Sequence, residues 1–196
     1  MCARYYIAED GDPQELRQIT EAVKQRIYGG SPAEIKTSGE IFPTDTVPAV
    51  ANNRKMVPTA FAMKWGFSAS GRGPVINARS ETASVVPMFR DGMAQRRCVI
   101  PANRYFEWEK RGREKIKYAI GPDRAGIMYM AGLYRLEYGR PVFTILTRPP
   151  ADSIAFIHDR MPVILPKELI NDWLNPKYIA EEMLKSAELD VSYARA

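Results

Sequence analysis

The chain has 196 residues, 45% of them hydrophobic and 26% charged, with a formal net charge of +5. That length is enough to bury a substantial core in one domain spanning residues 1–196, and no run of about 18 apolar residues suggests a membrane-spanning helix. The positive balance suits an anionic partner such as nucleic acid without requiring one.

Glu9-Asp10-Gly11-Asp12 follows the first apolar residues too early for a secretory leader, which needs a basic start and a longer apolar stretch. The two cysteines, Cys2 and Cys98, are far apart in the sequence and make no disulfide framework, so a reduced, cytoplasmic setting is expected. No Cys/His cluster has metal-ligand spacing, and neither a metal nor an organic cofactor is expected.

In chain order, Cys2-Ala3-Arg4-Tyr5-Tyr6-Ile7 reads as a strand, with Cys2, Arg4 and Tyr6 on one face. Asp12-Pro13 has the form of a helix start, with Glu15 completing a capping box. Leu16, Ile19, Val23 and Ile27 then follow at helical spacing. Residues 29–40 read as a polar loop. Val47–Ala51 and Pro58–Trp65 read as strands joined by a turn at Asn52-Asn53-Arg54-Lys55. Ser68–Gly73 is a flexible basic loop, Val75–Arg79 is extended, and Ser80 is placed to cap a short helix. Residues 88–95 read as another short helix. Strands are expected at Cys98–Pro101, Arg104–Trp108, Lys115–Ile120, Gly126–Tyr134 and Val142–Thr147, with turn signals at Gly121-Pro122-Asp123 and Tyr138-Gly139. Ala151–Ile157 is a short helix or turn, Met161–Leu165 is extended, and Pro166–Leu174 and Pro176–Ala187 are helical. Residues 187–196 carry no readable signal. Many strands with helices at the periphery imply an α+β fold on a curved, barrel-like, mostly antiparallel β core.

Cys2 carries the most distinctive chemistry. Aminopeptidases remove an initiator Met when the next side chain is small, and removal of Met1 leaves an α-amine and a thiol on adjacent carbons. Such an aminothiol condenses with an aldehyde to an imine, and the thiol then closes a thiazolidine. An α-amine, with a pKa of about 7.7–8.0 against about 10.4 for lysine, is substantially neutral and nucleophilic near neutrality. Three further places are unusual for plain structure. In Val75-Ile76-Asn77-Ala78-Arg79, Asn77 and Arg79 point the same way if the segment is extended, one suited to orienting a substrate and the other to forking onto a phosphate. In Arg104–Glu109, Phe106 and Trp108 face one side and Tyr105, Glu107 and Glu109 the other; Glu107 is either desolvated between large aromatics, which would suit it to proton transfer, or solvated or paired with an arginine. His158, the only histidine, titrates near neutrality. Its neighbours Asp159 and Arg160 are placed either to orient it, to bind phosphate, or to form a surface ion pair.

Taken in order, these segments resemble the SRAP family, the SOS response-associated peptidases or abasic site processing proteins. The resemblance rests on Met1-Cys2-Ala3-Arg4-Tyr5, Phe42-Pro43-Thr44, Lys64-Trp65-Gly66-Phe67, Ile76-Asn77-Ala78-Arg79-Ser80-Glu81-Thr82, Arg97-Cys98-Val99-Ile100-Pro101-Ala102, Phe106-Glu107-Trp108 and His158-Asp159-Arg160-Met161-Pro162. It implies a monomeric protein that binds single-stranded DNA and links covalently to abasic sites, with associated lyase and autoproteolytic activity in the DNA damage response. Cys2 matches the nucleophile, Asn77 the residue that positions it, Glu107 the acid/base and His158 the group assisting sugar ring opening. Arg4, Arg79 and Arg160 match phosphate contacts, and Pro43, Trp65 and Gly66 lie near the implied DNA path. The chain departs from the family where Ala3 replaces the usual glycine. It departs again where Ser68-Ala69-Ser70-Gly71-Arg72-Gly73 lacks tryptophans, leaving Arg72 to offer charge in place of base stacking. An alternative reading is a thiol peptidase using Cys2, His158 and Glu107, and a third is a non-catalytic single-strand binder.

Overall fold

The computed structural model describes residues 2–7, 14–26, 35–71, 73–122, 126–187 and 190–196. The described strands, numbered in chain order, form two sheets. The first contains β1 (Arg4–Ile7), β2 (Gly39–Ile41), β7 (Arg104–Arg111), β8 (Glu114–Gly121) and β13 (Ser192–Arg195), in the order β13-β8-β7-β1-β2. The second is built on β3 (Thr46–Asn52), β4 (Pro58–Trp65), β6 (Arg97–Ala102), β9 (Met128–Glu137) and β10 (Arg140–Arg148). Antiparallel pairing runs β4-β3-β6-β9-β10, and β10 returns to β4 in parallel through Val142 opposite Lys64 and Phe143 opposite Trp65. This return closes a five-stranded barrel, which leaves no open edge within the ring. Short strands β5 (Asn77–Arg79) and β11 (Met161–Pro162) extend β10, and β12 (Ile164–Leu165) pairs with β9. Helices α1 (Gln14–Arg26), α2 (Pro87–Gln95), α3 (Ile170–Leu174) and α4 (Ala180–Lys185) lie outside. The fold is thus the expected α+β arrangement on a curved, mostly antiparallel core.

Local sequence explains several joints. The β9–β10 hairpin turns at Tyr138 and Gly139, whose φ values of 50° and 78° give the mirror-type turn that matches the twist of the flanking strands. Asn53 makes an Asx turn between β3 and β4, its Oδ1 accepting the N–H groups of Lys55 and Val57 at 2.8 and 3.2 Å. Between β6 and β7 only Asn103 intervenes, yet the two strands belong to different sheets. Asn103 donates its backbone N–H to the Tyr6 carbonyl at 2.9 Å, which ties the crossing to β1.

One apolar cluster draws on both sheets and includes Cys2, Tyr5, Ile41, Met63, Trp65, Ile100, Tyr105, Ile120, Phe143 and Ile145. A second, with Phe67, Leu133, Val142, Leu146 and Trp173, lies under the helices. Each such fully buried large side chain contributes about 1.5–3 kcal/mol by leaving water.

The structure differs from the sequence reading in three local ways. The segment read as a polar loop ends in the first two residues of β2, and the unreadable C-terminal stretch contains β13, the two strands lying at the ends of the first sheet. Ser80 caps no helix: α2 begins at Pro87 after a run of turns, with Val86 at its N-cap and no side-chain cap. The expected helix start at Asp12-Pro13, and Ile27, lie outside the described residues.

Candidate active site at the N-terminal strand

The strand pattern does not begin at Cys2. Pairing of β1 with β7 starts at Arg4 opposite Phe106, and Cys2 precedes it. Strict alternation therefore ends before Cys2, so the expectation that Cys2 and Arg4 share a face is not met. Cys2 turns into the core and is 0% exposed, while Arg4 stays on the outer face of the sheet. Its thiol sits 3.8 Å from the Arg4 carbonyl.

Asn77 holds this turn from outside β1. Its Nδ2 donates to the Cys2 carbonyl at 2.8 Å, and its Oδ1 is buried with no hydrogen-bond partner among the described residues. The backbone feeding Asn77 is fixed by the Ile76 carbonyl, which accepts from the Trp65 indole N–H and from the Ile145 N–H, both at 3.0 Å. Trp65 thus acts from the core: it is fully buried, tilted against Tyr5 with ring centroids 5.2 Å apart, and stacked on Phe143. Gly66 follows with φ 114°, and a Cβ there would meet the Pro74 Cβ at 2.6 Å, so only glycine fits.

Glu107 lies on the inner face of β7 and is 3% exposed. As the alternation predicts, Phe106 and Trp108 take the other side, where they meet cations. Burial raises the Glu107 carboxyl above the usual range, and the charge of His158 opposes that shift. Burial pushes the Cys2 thiol up as well, and Glu107 adds to this. Glu107 thus acts electrostatically on Cys2 and is itself acted on by His158. Asn77 joins the group through its grip on Cys2.

His158 enters on the loop before β11. Its Nδ1 accepts the Arg160 N–H at 3.1 Å and also lies 2.8 Å from Asp159 Oδ1. The two contacts compete for one nitrogen. With Nδ1 accepting from Arg160, the neutral ring carries its proton on Nε2.

Arg160 is 8% exposed and fully engaged on one side. Its two terminal nitrogens fork onto Glu81 at 2.5 and 2.7 Å, and Nη2 also donates to the Thr147 carbonyl at 2.6 Å. Its Nε is buried with no hydrogen-bond partner among the described residues. The hydrogen bond from Arg160 pulls Glu81 down to about 2. Glu81 and Thr147 have no motif of their own beyond the segment that carries Asn77, and sequence reasoning assigned them no role.

The remaining expected contacts are dispersed. Arg4 stacks over Phe42 and Trp108 at 4.7 and 5.1 Å on the outer face. Lys117 covers Phe106 at 3.9 Å, and Lys36 covers Phe42 at 4.9 Å. Glu40 pairs with both Arg4 and Lys117. This face interleaves cations with aromatic rings, a surface chemistry suited to a sugar–phosphate backbone and its bases. Arg79 is exposed at the end of β5 and Pro43 is half-buried beside Thr44. Arg72 lies outside the described residues. Two clefts of about 310 and 410 Å³ meet at Glu15, Tyr129 and Lys167, and none of Cys2, Asn77, Glu107 or His158 lines them.

No described group of three or more His, Cys, Asp or Glu residues is arranged to hold a metal ion. Both cysteines are free and buried. No described helix is long and apolar enough to cross a membrane.

Comparison with known proteins places these features. A family model described as SOS response associated peptidase (SRAP) matches residues 1–194. The abasic site processing protein YoqW of Bacillus subtilis is 40% identical over 118 residues, which cover 57% of this chain and 53% of that protein. The abasic site processing protein YoaM of the same organism is 32% identical over 164 residues, covering 78% of this chain and 72% of that protein. The chain thus spans about half the length of YoqW and rather more of YoaM. A protein of solved structure from Bacteroides thetaiotaomicron shares the fold with a TM-score of 0.80, at 22% identity over 99% of this chain and 91% of that one. The family match, running from the buried N-terminal cysteine to the last strand, shows that the chain belongs to the SRAP family.

Proposed function

We propose that this protein processes abasic sites in single-stranded DNA by linking them covalently to Cys2 after Met1 is removed. The observation that carries the reading is the convergence on Cys2: Asn77 fixes its carbonyl from a separate segment, and Glu107 is buried within its electrostatic reach. The names of the relatives support the substrate class.

The chemistry follows from the aminothiol. An abasic sugar offers an aldehyde only when its ring is open, and His158, a group able to give and take a proton, assists that opening. The Cys2 α-amine attacks the aldehyde carbon, forming a C–N bond and a carbinolamine. Loss of water from the carbinolamine needs a proton on the departing oxygen. Glu107 is suited to supply it, because burial keeps its carboxyl protonated to higher pH than a solvated glutamate. The Cys2 sulfur then adds to the imine carbon and closes a thiazolidine. Lyase activity is a branch from the same imine, which acidifies the neighbouring C–H and opens the way to β-elimination; ring closure removes that branch. Arg4, Arg79 and the cation–aromatic face carry the strand, while Arg160, held by Glu81 and Thr147, orients the His158 loop.

The test is a denaturing gel of Met-processed protein with single-stranded DNA carrying one abasic site, run beside Cys2→Ala. A heat-stable shifted band that depends on Cys2 is expected. Its absence from the wild-type lane, with mass spectrometry showing Met1 gone, rejects the reading.

A further inference from the structure

Two phenols next to Cys2 have no assigned work. Tyr5 on β1 and Tyr105 on β7 lie opposite each other in register, and both are fully buried. Each hydroxyl oxygen is shut off from solvent with no hydrogen-bond partner among the described residues. An unmade buried hydrogen bond costs about 1–3 kcal/mol, so a fold with no use for these hydroxyls is better served by phenylalanine.

Their surroundings indicate the use. Both rings belong to the buried cluster that contains Cys2. Tyr105 is two residues from Glu107 on the same inner face of β7. Trp65 packs against the Tyr5 ring and fixes its position. The Oδ1 of Asn77, on the side chain that grips Cys2, is buried and unpartnered in the same way. After burial, Cys2 is the first titratable neighbour of either hydroxyl, followed by Asp45 and Cys98 at Tyr5 and by Glu107 at Tyr105. Burial raises both phenols well above their ordinary value, so they remain neutral O–H donors.

The need is equally specific. Ring closure requires electron density on a sulfur that burial and Glu107 both disfavour as an anion. A neutral hydroxyl that gives up no proton, and has no other partner among the described residues to leave, meets that need once the sulfur moving toward the imine carbon comes within its reach. We propose that Tyr5 and Tyr105 form a pair of hydrogen-bond donors to the Cys2 sulfur that stabilises its developing charge during ring closure. In that step the S–C bond forms as the C=N π pair moves onto nitrogen. The thiol proton ends on that nitrogen by way of the Glu107 carboxylate, and the phenols stay protonated throughout. The inference rests on the reading that Cys2 captures an aldehyde.

The test uses Met-processed protein and formaldehyde, the smallest aldehyde, with no DNA. Intact mass follows adduct formation, and cyanoborohydride reduces the imine while leaving the closed thiazolidine untouched. Tyr5→Phe and Tyr105→Phe keep the ring and delete only the hydroxyl; Tyr6→Phe, on the other face of β1, is the control. Each inner variant is expected to slow closure about ten-fold, with more imine trapped and thermal stability undiminished. Unchanged closure in both variants overturns the proposal. So does slower closure accompanied by lost stability, because the hydroxyls are then structural. Abasic DNA is the second arm. Wild-type protein that closes on formaldehyde but makes no DNA crosslink rejects the functional reading and leaves the tyrosines still tested by the first arm.

Discussion

The Asn77 side chain reaches the carbonyl of Cys2 at 2.8 Å across 75 residues of sequence. This single bond ties Cys2 to β5, the short strand paired with β10, and sets where the Cys2 backbone can lie. Asn77→Ala deletes the donor, worth about 1 kcal/mol, and is expected to slow crosslinking about ten-fold in single-turnover assays. Asn77→Asp sets a carboxylate against a carbonyl oxygen and is expected to be slower still. Equal rates in all three proteins would detach Asn77 from the chemistry.

Glu107 makes the fold pH-sensitive in a known direction. Its pKa in the folded protein is raised by burial above the unfolded value of about 4.3. The folded state therefore holds the proton more tightly, and this favourable contribution is full below the unfolded pKa and lost as pH rises through the folded one. Glu107→Gln is expected to be as stable as the wild type in acid and increasingly more stable than it as pH rises, while crosslinking slows. Melting temperatures across pH 3–8 (a window bracketing about 4.3) check this; a parallel pair of curves would contradict it.

Glu81 behaves in the opposite sense. Arg160 holds it down to about 2, so its contribution is present above the ordinary carboxyl range and fades as pH falls toward that value. Glu81→Gln keeps the shape and removes the charge facing the buried Arg160 guanidinium. Because Glu81 is partly exposed, the expected loss is modest, about 1 kcal/mol at neutral pH, measured by denaturant unfolding. The same substitution is expected to loosen the His158 loop, read as faster backbone hydrogen exchange at residues 157–160.

Gly66 offers a test of the frame around the site. A methyl group there meets Pro74 at 2.6 Å on a backbone with φ 114°. Gly66→Ala is expected to cost about 1–3 kcal/mol of stability by strain alone. Because Trp65 precedes it and fixes the Ile76 carbonyl, crosslinking is expected to fall with it.

Arg4 separates binding from chemistry. On the outer face it lies between Phe42 and Trp108, away from the buried thiol. Arg4→Ala is expected to weaken binding to undamaged single-stranded DNA and to reduce the salt dependence by about 0.7 in log–log slope, the share of one phosphate contact. Trp108→Ala is expected to weaken binding without changing that slope, since stacking releases no counterions.

The parts of this architecture legible in the sequence are those with local causes. Period-two alternation separated Glu107 from Phe106 and Trp108, without saying which face was inside, and turn residues located the hairpins. The aminothiol proposed at Cys2 is chemistry suggested by the first residues alone. The edge strands β2 and β13 were not legible because Gly39–Ile41 and Ser192–Arg195 are short and carry little apolar patterning; their neighbours β1 and β8 make them strands. The face of Cys2 was misjudged because alternation holds only within a paired strand, and pairing begins at Arg4. Glu81 beneath Arg160, and the meeting of Tyr5 with Tyr105, depend on contacts between distant segments that no local pattern encodes.

Cys2 has no exposed surface in the folded chain. A bond made at that sulfur meets bulk water and competing nucleophiles only when the strand around it opens. For the proposed attachment, survival time would then follow how often β1 lifts away from β7, making hydrolysis a clock wound by the stability of the first sheet.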